Sequence, residues 1–168
     1  DEALNELPAG SVGEILGRGP ILMPGYHRQP ALTQAAIVDG WLRTGDLGFV
    51  DEAGYLHLVD RQKDLIISGG VNVYPRDIEE VIARHPAVRE AAVFGVPHQR
   101  WGESPVAAVL LKADACIEAD ELREWVNANV AARFQRIAGL QVHQDFPRNA
   151  AGKTLKRELR ASHISGSA

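Results

Sequence analysis

Apolar positions in the first sixty residues come in short runs cut by glycine and proline, whereas beyond residue 61 they settle into strand and helix periods. Residues 12–16 and 21–23 are apolar pieces bounded by Gly17, Gly19, Pro20, Pro24 and Gly25, which predicts two short strands. Residues 41–44 and 55–59 predict two more, with Asp51-Glu52-Ala53-Gly54 as a hairpin turn ahead of the second. In this half only residues 30–37, rich in alanine, have a composition that allows a helix. Further on, Pro75 suits a helix's first turn, Ile78, Val81 and Ile82 share one helical face, and His85-Pro86 ends that helix. Strands are predicted at 90–96 and 105–112. A helix follows in which Leu122, Trp125, Val126 and Val130 recur at i, i+3, i+4 and i+8 opposite Glu121, Arg123 and Glu124. A last strand at 140–146 leads through a loop at 147–153 into a helix at 154–161, and the polar tail Ser165-Gly166-Ser167-Ala168 is predicted to be disordered.

The fold class is therefore α+β: a short all-β segment over residues 1–60, then a small mixed α/β domain over 61–168, with the boundary in the polar run 60–64. No internal repeat interrupts this order. Composition adds limits. The chain has 168 residues, 45% of them apolar, which is ordinary for a protein with a packed core. A net charge of −4 offers no support for nucleic-acid binding. The longest aliphatic run, 106–111, is far too short to cross a bilayer. The single cysteine, Cys116, permits no intrachain disulfide, which agrees with a reducing, cytoplasmic setting.

Candidate chemistry concentrates in residues 60–75, where the charged run Asp60-Arg61-Gln62-Lys63-Asp64 meets the apolar Leu65-Ile66-Ile67 and then Ser68-Gly69-Gly70-Val71-Asn72-Val73-Tyr74-Pro75. The apolar triplet is short enough for a core strand. The paired glycines leave bare backbone that another molecule can approach, although Gly-Gly also serves simply as a hairpin turn. A second candidate is Gly152-Lys153-Thr154, between a strand and a helix as in a phosphate-binding loop. That motif needs a glycine five positions earlier, where Pro147 stands.

Taken with Trp41-Leu42-Arg43-Thr44-Gly45-Asp46 upstream and Pro147-Arg148-Asn149-Ala150-Ala151-Gly152-Lys153 downstream, this segment resembles the adenylate-forming acyl-CoA synthetases. The resemblance covers essentially the whole chain but only the carboxyl-terminal portion of such an enzyme. It implies that residues 1–60 close the large AMP-binding domain and that residues 61–168 form its lid, with the remainder of the enzyme as partner. It further implies ATP and CoA as co-substrates of a carboxylic acid, with Mg2+ accompanying ATP and no metal ligand in this portion.

Residue by residue, the resemblance implies that Lys153 reaches the reacting carboxylate and α-phosphate, and that Asp46 and Arg61 hold the ribose. An ammonium between two approaching anions offsets their repulsion and fixes the in-line geometry. Lys63 corresponds to the hinge about which the lid rotates between half-reactions, and Ser68, Gly69 and Gly70 to the loop that later lies against pantetheine. Trp101 and Phe134 are candidates to flank the adenine of CoA, with Arg136 near a phosphate, and core packing accounts for the two aromatics equally well. Relatives commonly place proline and lysine after that arginine, where this chain has Ile137 and Ala138.

Arg148, Lys153, Lys156, Arg157 and Arg160 against Glu158 make the carboxyl-terminal end locally basic, which attracts anions but also suits an exposed helix. His27, His57, His85, His98, His143 and His163 show no metal-ligand spacing. Two rival readings remain: an adenylation domain feeding a carrier protein, and a piece that by itself is a non-catalytic lid or binding module. The residues 68–75 look more like the CoA-using branch. The acid substrate is not legible, so aromatic, medium-chain and long-chain acids all stay open.

Overall fold

The structure, a computed structural model, describes residues 1–166 and falls into two units, Asp1–Lys63 and Asp64–Ala168. In the first unit β3 (Trp41–Val50) is the central strand. β1 (Gly13–Gly17) pairs antiparallel along one edge, and β2 (Ile37–Val38) and β4 (Leu56–Arg61) share the other. α1 (Pro30–Ala36) enters at Pro30, whose missing N–H costs nothing at a helix start. The Asp51 to Gly54 turn forms as expected: the Asp51 carboxylate accepts the Ala53 and Tyr55 N–H groups at 3.0 and 2.9 Å, and Gly54 takes φ 87°. Residues 21–23 make no strand. Pro20 and Pro24 remove donors on both sides, Leu22 N–H closes a turn on the Gly19 carbonyl, and Ile21 is 95% exposed.

The second unit is a five-stranded sheet in the order β6-β5-β8-β7, with β9 also paired to β8. Its strands are β5 (Ile66–Ser68), β6 (Val71–Val73), β7 (Val88–His98), β8 (Gly102–Leu111) and β9 (Gly139–His143), the last running parallel to β8. α2 (Pro75–Ala83) and α3 (Ala119–Asn129) cover one face and α4 (Lys156–Gly166) the other. Alternate residues of β7 and β8 therefore enter two cores. Val93, Ala107 and Val109 meet Ile78, Ile82, Leu122 and Val126, while Ala92, Phe94, Val106, Ala108 and Leu110 meet Phe146 and Leu159. Burial on both faces explains why 106–111 reads as an unbroken apolar run. Each fully buried aliphatic side chain contributes about 1.5–3 kcal/mol. The outer edge of β7 is guarded by Glu79, which accepts the Val93 N–H at 2.7 Å and pairs with Lys156 at 2.6 Å.

The mixed α+β class holds, with several local corrections. Leu65-Ile66-Ile67 is no uniform core strand: Leu65 precedes β5, Ile66 is 1% exposed and Ile67 is 54% exposed, as expected where successive residues face opposite sides. Val130 caps α3 in an extended conformation instead of prolonging it. β9 stops at His143 rather than reaching Phe146. The final helix begins at Lys156, because Thr154 bridges Arg148 in a small antiparallel pairing. Of the polar tail, Ser165 and Gly166 belong to α4, and Ser167 and Ala168 lie outside the described residues. No helix of the described residues is long and apolar enough to cross a membrane.

Candidate functional site

In the first unit β3 bulges at Thr44-Gly45-Asp46, where three residues stand opposite Ile15 alone. Gly45 takes φ 70°, and the Thr44 hydroxyl donates to the Ile15 carbonyl at 2.7 Å while accepting the Asp46 N–H at 3.1 Å. The Glu14 side chain, 8% exposed, binds Arg43 at 2.6 Å and raises that guanidinium's pKa, first through the hydrogen bond and then through charge. Beside the bulge lies a depression of about 590 Å³ lined by Glu14, Tyr26, Arg43, Thr44 and Gln62. Asp46 and Arg61 face each other across β3 and β4, with Arg61 Nε 2.7 Å from Asp46 Oδ1. The two expected ribose contacts are thus brought together as a half-exposed ion pair, and Lys63 sits exposed in a 3-10 turn at Gln62–Asp64.

In the second unit the paired glycines connect β5 to β6 as a two-residue hairpin, with Ser68 opposite Val71 and φ of 59° at Gly69 and 79° at Gly70. Two successive left-handed residues match the twist of the flanking strands, and glycine adopts them without strain. The hairpin is tied to β8: Ser68 pairs with Gly102, and Gly69 N–H donates to the Trp101 carbonyl at 2.8 Å. A side chain at Gly69 would come within 3.0 Å of the Trp101 ring. Trp101 is itself half-exposed, stacks with His98 and carries the Arg100 guanidinium 4.5 Å from its ring centre. Ser68, Gly69, Gly70 and Trp101 therefore form one surface. Phe134 lies in a 3-10 turn, Arg133–Gln135, beside β6, and is exposed, as is Arg136. Among the described residues Trp101 has no ring contact with Phe134. Ile137 is buried in the core, which accounts for an apolar residue there.

Lys153 occupies a different place. Its loop is closed by the Arg148 and Thr154 bridge and organised by Asn149. The Asn149 carboxamide oxygen accepts the Ala151 and Lys153 N–H groups at 3.0 and 2.9 Å, and Asn149 N–H donates to the Lys153 carbonyl at 3.0 Å. The Lys153 side chain is exposed and has no ion pair among the described residues, so its ammonium is available to an incoming anion. Arg148 and Thr154 are held in turn by Glu90 near the start of β7, at 2.6 and 3.0 Å. Glu90 lies opposite Leu110 in β8, whereas the glycine hairpin lies opposite Gly102. Eight strand residues separate these positions, about 26 Å at the usual rise.

Sequence reasoning did not pick out Glu90 or Asn149 as partners of this loop. Asn149 carried a local signal, an amide two residues before a small residue in a turn. Glu90 carried none, because its contacts lie 58 and 64 residues away in the chain. Among the described residues no group of three His, Cys, Asp or Glu could hold a metal ion.

Residues 77–153 match the model of the AMP-binding enzyme C-terminal domain. The chain is 45% identical over 154 residues to a 2-succinylbenzoate–CoA ligase of Bacillus cytotoxicus, covering 92% of this chain and 31% of that protein. It is 41% identical over 147 residues to a long-chain-fatty-acid–CoA ligase of Bacillus subtilis, covering 88% and 26%. Among solved structures it is similar to o-succinylbenzoate CoA synthetase of Bacillus subtilis in complex with its acyl-adenylate intermediate, with TM-score 0.83 at 38% identity over 92% of this chain and 31% of that one. The chain thus spans about a third of the length of the relatives it matches.

Proposed function

We propose, from the match of residues 77–153 to the AMP-binding enzyme C-terminal domain and the 45% identity to a CoA ligase, that this chain is the C-terminal part of an adenylate-forming enzyme and that the full protein is an ATP-dependent acid–CoA ligase. A carboxylate oxygen attacks the α-phosphorus of ATP and pyrophosphate leaves. The CoA sulfur then attacks the acyl carbonyl and AMP leaves. In this reading residues 1–60 end the large domain, residues 61–168 are the lid, and the remainder of the enzyme supplies the acid pocket and the phosphate loop. The 168 residues alone do not catalyse either step.

The observation that carries the reading is that the two candidate loops are anchored eight residues apart along β8, at Glu90 opposite Leu110 and Ser68 opposite Gly102, about 26 Å at the usual rise. One orientation of this unit cannot bring both Lys153 and the Gly69-Gly70 hairpin to a single reacting centre. Presenting them in turn, by rotation about Lys63, uses both. In the first orientation the Lys153 ammonium lies between carboxylate and α-phosphate and offsets their repulsion. In the second, the bare Gly69-Gly70 backbone and Ser68 face pantetheine, Trp101 and Phe134 offer surface to the adenine of CoA, and Arg136 meets a phosphate. Asp46 keeps Oδ1 on Arg61 and accepts ribose hydroxyls at Oδ2. Mg2+ accompanies ATP, and no step here depends on it. An exposed lone thiol at Cys116 suits a reducing, cytoplasmic setting.

The acid is to be found by a screen that starts from 2-succinylbenzoate and a long-chain fatty acid, the acids in the relatives' names. The decisive experiment is Lys153→Ala in the full-length enzyme. Acid-dependent pyrophosphate release should fall about 10²- to 10³-fold, while thioester formation from supplied acyl adenylate stays near wild type. Undiminished pyrophosphate release overturns the assignment.

A further inference from the structure

The Lys153 loop is rich in small residues, Ala150, Ala151 and Gly152, so nothing in its own composition keeps a long side chain on station. Its internal hydrogen bonds fix its shape. Arg148 Nη1 reaches the Gly152 carbonyl and the Thr154 hydroxyl, each at 3.2 Å, and Leu155 N–H donates to the Pro147 carbonyl at 2.8 Å. None of those bonds fixes where the loop stands on the unit. Phe146 and Leu159 anchor the chain on either side of the loop in the core and Lys156 pairs with Glu79; between them Glu90 divides its two carboxylate oxygens between the two stems of the loop. Arg148 Nη2 donates to Oε2 at 2.6 Å and the Thr154 hydroxyl to Oε1 at 3.0 Å.

Resting on the reading of Lys153 given above, we propose that Glu90 is a positioning residue for the adenylation step, acting through Arg148 and Thr154 to hold the lysine loop at the start of β7. Only a carboxylate accepts at two oxygens at once, and the charge-assisted bond to Arg148 is the stronger of the pair. Glu90 in turn raises the Arg148 pKa, chiefly through that hydrogen bond. Strand β7 is an appropriate anchor, since Ala92, Val93 and Phe94 just beyond Glu90 are buried in both cores and leave the strand no freedom to shift.

The test uses the full-length enzyme with the acid the screen selects, and reads pyrophosphate release and thioester formation from supplied acyl adenylate separately. Glu90→Ala should lower kcat for pyrophosphate release about 10- to 10²-fold, the scale of a displaced but intact catalytic group. KM for ATP and the thioester step should change little. Glu90→Gln, whose one amide oxygen can still accept from Arg148 while its NH2 must donate to the Thr154 hydroxyl oxygen instead of accepting from it, should fall between. The discriminating variant is Glu90→Ala combined with Lys153→Ala. If Glu90 acts through the lysine, the double variant is no slower than Lys153→Ala alone. Additive losses, or equal loss of both half-reactions in Glu90→Gln, overturn the positioning role while leaving Lys153 in place. A Lys153→Ala enzyme with full pyrophosphate release overturns both.

Discussion

If bare backbone at the hairpin is what CoA requires, a side chain at Gly70 should block thioester formation even when the turn itself survives. Gly70 sits at φ 79°, and a Cβ built there meets nothing within 4 Å. An L-alanine therefore meets only the left-handed backbone penalty, about 1–2 kcal/mol. Asparagine tolerates that conformation better, so Gly70→Asn should recover up to about 1 kcal/mol of the loss while projecting a larger side chain. Urea unfolding gives the stability of each variant, and the thioester half-reaction from supplied acyl adenylate gives its function. Both variants should slow that half-reaction about 10²-fold, on the scale of a misplaced reactant, and leave pyrophosphate release alone. Gly69→Ala should be the more severe variant, because its Cβ would press on Trp101 at 3.0 Å and displace the indole. Wild-type thioester formation in Gly70→Asn, with loss only in Gly70→Ala, would refute the reasoning, since turn conformation alone would then account for the glycines.

Lys63→Pro fixes φ inside the 3-10 turn and disfavours the helical conformation at Gln62, so the two half-reactions, assayed separately, should be lost unequally; equal loss argues against a hinge there. Asp51 is held below the usual carboxylate range, chiefly by the hydrogen bond from His57 at 2.6 Å and then by the Tyr55 N–H. A lowered carboxylate contributes fully above its unfolded value of about 4 and loses that contribution as pH falls through its lower folded value. Thermal melts of wild type and Asp51→Asn should therefore differ at neutral pH and converge in acid; a constant difference would count against the assignment. Ile82 is fully buried between α2 and the sheet, and Ile82→Ala should cost about 2–5 kcal/mol, read as a lower urea midpoint at unchanged slope.

Much of the second unit was legible because its periods are set by burial. Ile78, Val81 and Ile82 repeat as a helix face, and 105–112 reads as a strand because both its faces meet core. What escaped were elements decided by distant partners. The triplet Ile21-Leu22-Met23 has strand composition, yet prolines on both sides deprive it of a ladder. Thr154 has the position of a helix start, but its hydroxyl is taken by Glu90 and its backbone by the Arg148 bridge, so α4 waits until Lys156. The same contacts that spoiled the helix boundary hold the lysine loop. Lys153 and the paired glycines could be singled out from local motif alone, whereas the distance between them follows only from the register of β7, β8 and β5.

That register bears on how one protein could use both loops. Bringing Lys153 and the hairpin to one centre by flexing the loops would mean pulling at least one of them away from anchors that stand about 26 Å apart along β8. On one side this breaks the Glu90 clamp on Arg148 and Thr154. On the other it breaks the Ser68 and Gly102 pairing, the Gly69 bond to Trp101 and the Ile67 N–H bond to Glu103 at 3.3 Å, with Glu103 itself held by Arg160 at 2.8 Å. Between the two ends β8 is buried on both faces from Ser104 to Leu110, and such a strand transmits displacement rather than absorbing it. The proposed turning of the whole unit leaves each of these bonds intact, with new φ and ψ values taken up in the exposed, polar stretch around Lys63. Rigidity inside the unit therefore favours the proposed rotation of the unit over flexing of its loops as the way to exchange an ammonium for a glycine-lined wall.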